Sequence, residues 1–238
     1  MKRIAVVVFL SLFSVAAFSQ KPSVESITKR FRLSWEPFND IWMDVPDSIN
    51  PRTINQGVNI YGLYMFPMDR KDHISFFVGA GIGAHNFFHN ALIGLNDGGI
   101  TYLYNLPDTL GGTTIDVKKS KISVTYFDVP FGFKYKMKND MHLTLGFKVG
   151  WKINDHWKYK GDCYEADNVL YATGATIKRK YSRVPNIDNF HYGPYISFGY
   201  KWFGIMANYQ ISTLFEKDYG PEVYPISVGL TFMPFGSK

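Results

Sequence analysis

Between Phe127 and Trp151 the chain alternates greasy and polar residues with hardly a break. Phe127, Val129, Phe131, Phe133, Tyr135 and Met137 share one parity, and after Lys138-Asn139-Asp140 so do Met141, Leu143, Leu145, Phe147, Val149 and Trp151. The other parity carries Asp128, Gly132, Lys134, Lys136, His142, Gly146, Lys148, Gly150 and Lys152. Successive strand side chains point to opposite faces, so this pattern predicts a two-faced β-hairpin. Turning at 138–140 pairs Met137 with Met141, Tyr135 with Leu143, Phe133 with Leu145, Phe131 with Phe147 and Val129 with Val149. A slip of one residue would mix the faces, so turn and pattern specify the same register. A tight turn at Lys201-Trp202 does likewise for Tyr200 with Phe203, Phe198 with Ile205, Ile196 with Ala207 and Tyr192 with Ile211.

Period two continues along the chain and predicts strands near 30–43, 54–66, 73–87, 121–137, 141–153, 190–201, 203–213 and 224–233. The connections alternate between long (44–53, 88–120, 154–189, 214–223) and short (67–72, 138–140, 201–202). All long loops thus fall at one end, an asymmetry characteristic of outer-membrane barrels. The predicted fold class is all-β: an eight-stranded antiparallel up-and-down transmembrane β-barrel.

Alternation alone leaves open a soluble, lipocalin-like barrel with the aromatic face lining a ligand cavity. Three features favour the opposite orientation. The apolar parity is bulky (Phe131, Phe133, Phe147, Trp151, Phe198, Trp202, Phe203, Tyr209, Phe232) and would overfill so narrow an interior. The polar parity is rich in glycine, which makes room inside a small barrel. From Phe127 onward the apolar parity carries no charge, as a lipid-facing wall requires, since a midplane Lys or Arg costs about 2–4 kcal/mol. Tyr135, Tyr200, Trp202, Phe203 and Phe232 would form a girdle at the short-turn end, with Trp151 and Tyr192 at the loop end.

Residues 1–19 read as an export signal: Lys2 and Arg3, an apolar run from Ile4 to Phe18, and small residues before Gln20. Residues 20–238 would then be one barrel domain. No later segment approaches 18 consecutive apolar residues, which says nothing against strands that span a membrane. The single cysteine, Cys163, excludes an intrachain disulfide framework. A net charge of +6 suits phosphate-rich partners, but an exported chain is not expected to meet nucleic acid.

The inward parity is expected to hold a polar network of Asp128, Lys134, Lys136, Lys148 and Lys152, joined by Arg30, Arg32 and Glu36. Its two readings are a packed polar core, which eight strands favour, and an anion-selective path. The long loops carry a basic patch: Lys118, Lys119, Lys121, Lys178, Arg179, Lys180 and Arg183, with Lys158 and Lys160. Such charge suits lipopolysaccharide phosphates or an acidic surface partner, or simply solvation. His85 and His89 share a parity but lack a third ligand, so no metal and no cofactor are expected. His191 with Ser182 is the one arrangement that hints at a lipid-modifying enzyme, and no nucleophile motif surrounds it. The glycines of GAGIGAH (79–85) lie inside a strand pattern and make no phosphate loop.

Three pieces are similar to the PorT-like outer-membrane β-barrel proteins of Bacteroidetes: the N-terminus ending Phe18-Ser19-Gln20, the segment Tyr126-Phe127-Asp128-Val129-Pro130-Phe131-Gly132-Phe133-Lys134-Tyr135, and the ending Pro225-Ile226-Ser227-Val228-Gly229-Leu230-Thr231-Phe232. The resemblance implies a barrel inserted by the outer-membrane assembly machinery through a last-strand signal matched by Ser227, Gly229 and Phe232. Pro234 stands where that signal has its final aromatic. The expected function is non-enzymatic: envelope structure, surface interaction or a secretion-linked role, with outer-membrane lipid, lipopolysaccharide and a surface or secretion-apparatus protein as partners. A small channel and a lipid-modifying enzyme remain the alternatives.

Overall fold

The computed structural model describes residues 30–47, 49–105, 109–110, 113–114, 118–166 and 169–234; the expected export signal and the tail after Pro234 lie outside them. Among the described residues there are thirteen strands. They are β1 (Phe31–Met43), β2 (Gln56–Pro67), β3 (Ile74–His89), β4 (Ala91–Leu95), β5 (Thr101–Asn105), β6 (Thr109–Leu110), β7 (Thr113–Thr114), β8 (Lys119–Lys136), β9 (Met141–Ala166), β10 (Val169–Ser182), β11 (Phe190–Tyr200), β12 (Phe203–Tyr209) and β13 (Tyr224–Phe232). Nine form the main sheet, in the order β10-β9-β11-β12-β13-β1-β2-β3-β8, and a β8–β9 pairing closes it. Because β10 pairs only with the far end of β9, the remaining eight make a closed antiparallel barrel.

The hairpin registers agree with the alternation. Tyr135 faces Leu143, Phe133 faces Leu145, Phe131 faces Phe147 and Val129 faces Val149. Tyr200 faces Phe203, Phe198 faces Ile205 and Ile196 faces Ala207. The Ile211 N–H donates to the Tyr192 carbonyl at 2.9 Å, which carries the second register past the end of β12. Asp140 and Lys201 take positive φ (63° and 54°), the conformation these two tight turns require.

Two predicted long loops are largely sheet. Residues 88–120 contain the hairpins β4–β5 and β6–β7 and the start of β8. Within 154–189, β9 runs on to Ala166 and β10 returns beside it, so β8, β9 and β10 form a three-stranded tongue at the loop end, with β3 alongside β8 as far as His89 opposite Ser120. Hydrophobic alternation weakens here because the outward face turns to lysine. A bulge opposite Thr125 and Tyr126 also inserts Ile153 and flips the parity of β9. Below the bulge odd residues of β9 point outward; above it even ones do.

The apolar face points outward. Phe133 is 52 % exposed, Leu145 53 %, Trp151 61 % and Ile205 58 %, so the lipocalin-like orientation does not occur. At the short-turn end Trp35, Phe203 and Trp202 surround Phe232, with ring centroids at 5.2, 5.3 and 6.0 Å. At the other end Trp151 packs on Phe190 at 5.4 Å. Two aromatic belts thus bound an apolar band, the expected profile of a barrel solvated by lipid.

Phe131→Arg, placed in the middle of that band, is expected to lower unfolding stability in lipid vesicles by about 2–4 kcal/mol. Urea titration followed by gel mobility without boiling reads the effect. An exchange at Lys138, in the turn, should leave the midpoint unchanged.

Candidate functional site

Inside the barrel, residues of the inward parity meet in layers. The central layer is a polar plug built around three carboxylates. Asp128 of β8 accepts a hydrogen bond from the Tyr61 hydroxyl at 2.8 Å and pairs with His191 Nε2 at 2.6 Å. Lys148 Nζ lies 3.9 Å from its Oδ2, and this ammonium is 1 % exposed. Glu36 of β1 accepts from Tyr195 at 2.9 Å, Asn59 at 3.1 Å and Ser34 at 3.2 Å. Asp40, four residues further along β1 and on the same face, accepts from Ser227 at 2.6 Å and pairs with His85 Nδ1 at 2.9 Å. Every barrel strand except β12 contributes to these contacts. Hydrocarbon outside and no bulk water within make an unpaired charge costly, so each carboxylate is surrounded by donors.

Glycine makes the plug possible. A Cβ at Gly150 would collide with both Asp128 Oδ1 and His191 Nε2; one at Gly83 would stand 2.5 Å from Asp128 Oδ2 and 2.8 Å from Asn59 Oδ1. The lumen is so narrow that a carboxylate on one strand takes the space of a side chain on the next.

Apolar layers lie on both sides. Toward the loop end Trp42, Phe87, Ile122, Tyr126, Trp157 and Phe215 belong to one buried cluster that caps the barrel. Toward the short turns Tyr61, Leu63, Phe77 and Met233 form a collar enclosing a void of about 20 Å³. Below the collar the lumen opens into a basin of about 1,180 Å³, whose described lining includes Arg30, Arg32, Arg70, Lys134, Lys136 and Asp140.

Of the five residues expected at the centre of the lumen network, Asp128 and Lys148 come together and the other three lie elsewhere. Lys134 sits at the collar with Nζ 3.8 Å from Met233 Sδ, and Lys136 reaches the turn at Asp140, 3.7 Å away. They lie on the same strand as Asp128 but too far along it to reach the plug. Lys152 turns toward the loop end, donating to the Ile187 carbonyl at 2.7 Å and lying 3.6 Å from Asp155. The bulge explains this, since it returns Asp155 to the inward face three positions after Lys152. Glu36 does join the plug. Asp40, Asn59, Tyr61, His85, His191 and Tyr195 were not foreseen there; each has inward parity, but seeing that they share one level needs the stagger between strands that no hairpin joins.

The histidine hypotheses resolve by position. His191 is held by Asp128 in the lumen, whereas Ser182 pairs with His156 on the outward face of the tongue, so no His191–Ser182 dyad forms. His89 accepts the Ala91 N–H at 3.2 Å while His85 is bound to Asp40; among the described residues no group of three or more His, Cys, Asp or Glu could hold a metal.

Most of the basic residues expected on loops lie on strands. Lys119, Lys121, Lys178 and Lys180 join Lys158 and Lys160 on the outward face of the tongue. Arg179 has the opposite parity, beside the Tyr181 hydroxyl at 3.3 Å, and Arg183 lies just past β10 at φ 88°. Lys118 donates to Thr176 at 2.8 Å. At the other terminus, the side chain of Ser227 is committed to Asp40, Gly229 packs under Phe38, and Phe232 sits in the short-end girdle.

Asp128→Ala, by leaving Lys148 buried without its anion, should destabilise the barrel by about 3–5 kcal/mol. The pair Asp128→Leu with Lys148→Met should recover most of that loss, which urea unfolding of the single and double variants will measure.

Comparison with known proteins places this geometry. A family model described as an outer membrane protein beta-barrel domain matches residues 46–215, from the connection after β1 to partway along the connection between β12 and β13. Among solved structures, the crystal structure of Ail, the attachment invasion locus protein of Yersinia pestis, is similar to 86 % of this chain and 99 % of its own, at 15 % identity and a TM-score of 0.37. No curated protein matches. With well over half its length under that family model and a closed barrel whose greasy face points outward, the chain belongs to the outer-membrane β-barrel protein family.

Proposed function

We propose that this barrel is a non-enzymatic, non-conducting outer-membrane protein whose work is done by the face that rises beyond the long-loop end, read here as the extracellular side. The layered closure of the lumen carries the proposal. A plug in which Asp128, Glu36 and Asp40 are each saturated with donors lies between an apolar collar and an apolar cap. An ion crossing it would have to leave its hydration shell at two greasy layers and displace buried partners between them. The charged groups in the plug therefore fit a structural role better than a conduction path.

Envelope structure and surface interaction are the roles consistent with such a closed wall. A secretion-linked role rests on the PorT-like resemblance of the Tyr126–Tyr135 segment and the last strand, and service to a periplasmic partner would use the basic basin at the short-turn end. Ser227, Gly229 and Phe232 are proposed as the assembly signal, with Phe232 presenting its ring to lipid.

Planar-bilayer recording of the purified, folded protein tests the closed lumen. No unitary conductance above bilayer background is expected, for the native chain or for Lys134→Glu. A stable conductance whose ion selectivity shifts in Lys148→Glu or Lys134→Glu would overturn the reading in favour of a small channel.

A further inference from the structure

The tongue carries an arrangement that packing does not explain. In the β8–β9 ladder Lys119 faces Lys160 and Lys121 faces Lys158; in the β9–β10 ladder Lys178 faces Lys160 and Lys180 faces Lys158. Two rows of three lysines therefore cross three adjacent strands on one face, about 5 Å apart within a row and about 7 Å between rows. Like charges directly opposite each other on neighbouring strands are destabilising. Among the described residues none of the six has a carboxylate within ion-pair distance. Lys121 donates to Asn86 at 2.6 Å, and Lys119 and Lys121 lie over the Phe88 ring at 5.1 and 5.5 Å, contacts that hold the first column without neutralising it.

The opposite face of the same strands is apolar and buried, with Ile122, Trp157 and Tyr159 packed into the cap. The lysine face is therefore the outer surface of the barrel wall, continuous below with the lipid-facing band. Lys121 lies six residues along β8 from Phe127, about 15 Å higher at the usual rise and tilt. Ile153, 57 % exposed, marks how far the apolar surface climbs on β9. The grid thus looks sideways into whatever stands above the acyl chains. A phospholipid headgroup offers such a grid a single phosphate, whereas a glycolipid with phosphates on its sugars offers several on one molecule. The lysine stems can lie along the wall while their ammonium groups spread toward those phosphates.

We infer that the outward lysine grid of β8, β9 and β10 is a binding site for the phosphate groups of an outer-leaflet glycolipid. This deepens the proposed function, because it rests on the long-loop end facing outward, and it supplies that face with a ligand. Multiple phosphates bridging a grid of ammonium groups would remove the repulsion within each row. A blocking role for lysine on an unpaired edge is familiar, but it accounts only for β10; Lys158 and Lys160 lie on the middle strand, with a lysine on each side.

Native mass spectrometry of the full, detergent-folded chain tests the inference, with diphosphorylated lipid A as the probe and its dephosphorylated form, phosphatidylglycerol and inorganic pyrophosphate as comparisons. The expected result is preferential retention of the diphosphorylated lipid, weakened about tenfold or more in Lys158→Glu/Lys160→Glu and falling as salt rises. Lys158→Gln/Lys160→Gln, which keeps the strand polar without reversing charge, should weaken it less. Heat-dependent gel mobility shows that each variant is folded. Equal retention of phosphorylated and dephosphorylated lipid, or unchanged affinity in folded Lys158→Glu/Lys160→Glu, would overturn the site. Pyrophosphate or phosphatidylglycerol bound as tightly as the diphosphorylated lipid would overturn the glycolipid assignment. None of these outcomes alters the conductance measurement, so the closed lumen and the lipid site fail separately.

Discussion

Closure of the sheet is the condition on which the rest depends. Hydrocarbon offers no hydrogen bonds, so a spanning sheet can leave no edge unpaired. β1 pairs with β13 and β8 with β9, and the ring is complete. The free edge of β10 occurs where the tongue has risen past the apolar band. An edge that would be intolerable among lipid chains is thus confined to the part of the wall that leaves them, and that same part exchanges its phenylalanines for lysines.

A closed ring with greasy side chains outside turns the usual order of a protein inside out. The interior has to be filled by the polar parity, and with eight strands it has room for little else. Glycine on one strand is therefore a partner to a charged residue on the next: Gly150 and Gly83 leave the space that Asp128 occupies. The carboxylates act as staples across the ring, since Glu36 ties β1 to β2 and β11 while Asp128 ties β8 to β2 and β11. Such pairs give little net energy compared with a hydrophobic core of equal volume, yet each is expensive to break one-sidedly. Their geometry defines the stagger of strands that no hairpin connects.

The lipid face was legible because it is a local property. Phe131, Phe133 and Leu145 declare their side through nearest neighbours in sequence, and the two tight turns hold their hairpins in register. The lumen was legible only as a parity. Asp128 beside Lys148 follows from one hairpin, but Asp40 beside His85 and Ser227 joins three strands far apart in the chain. Lys134 and Lys136 share parity with Asp128 and still miss it, because parity records the face of a strand and not the height along it. The tongue was hidden for a different reason. Its outward residues are lysines rather than apolar groups, and the inserted Ile153 reverses the alternation at the point where β9 leaves the band.

The alternation of side chains, with bulk on one parity and glycine and charge on the other, is by itself sufficient to determine a barrel that faces lipid. Burial in hydrocarbon is decided residue by residue, and each strand reports it independently. Which inward residues meet, where the lumen closes and how six lysines come to stand side by side were decided by the tertiary structure alone. Those outcomes depend on the stagger around the closed ring and on one bulge, and both arise only when all eight strands satisfy their hydrogen bonds together.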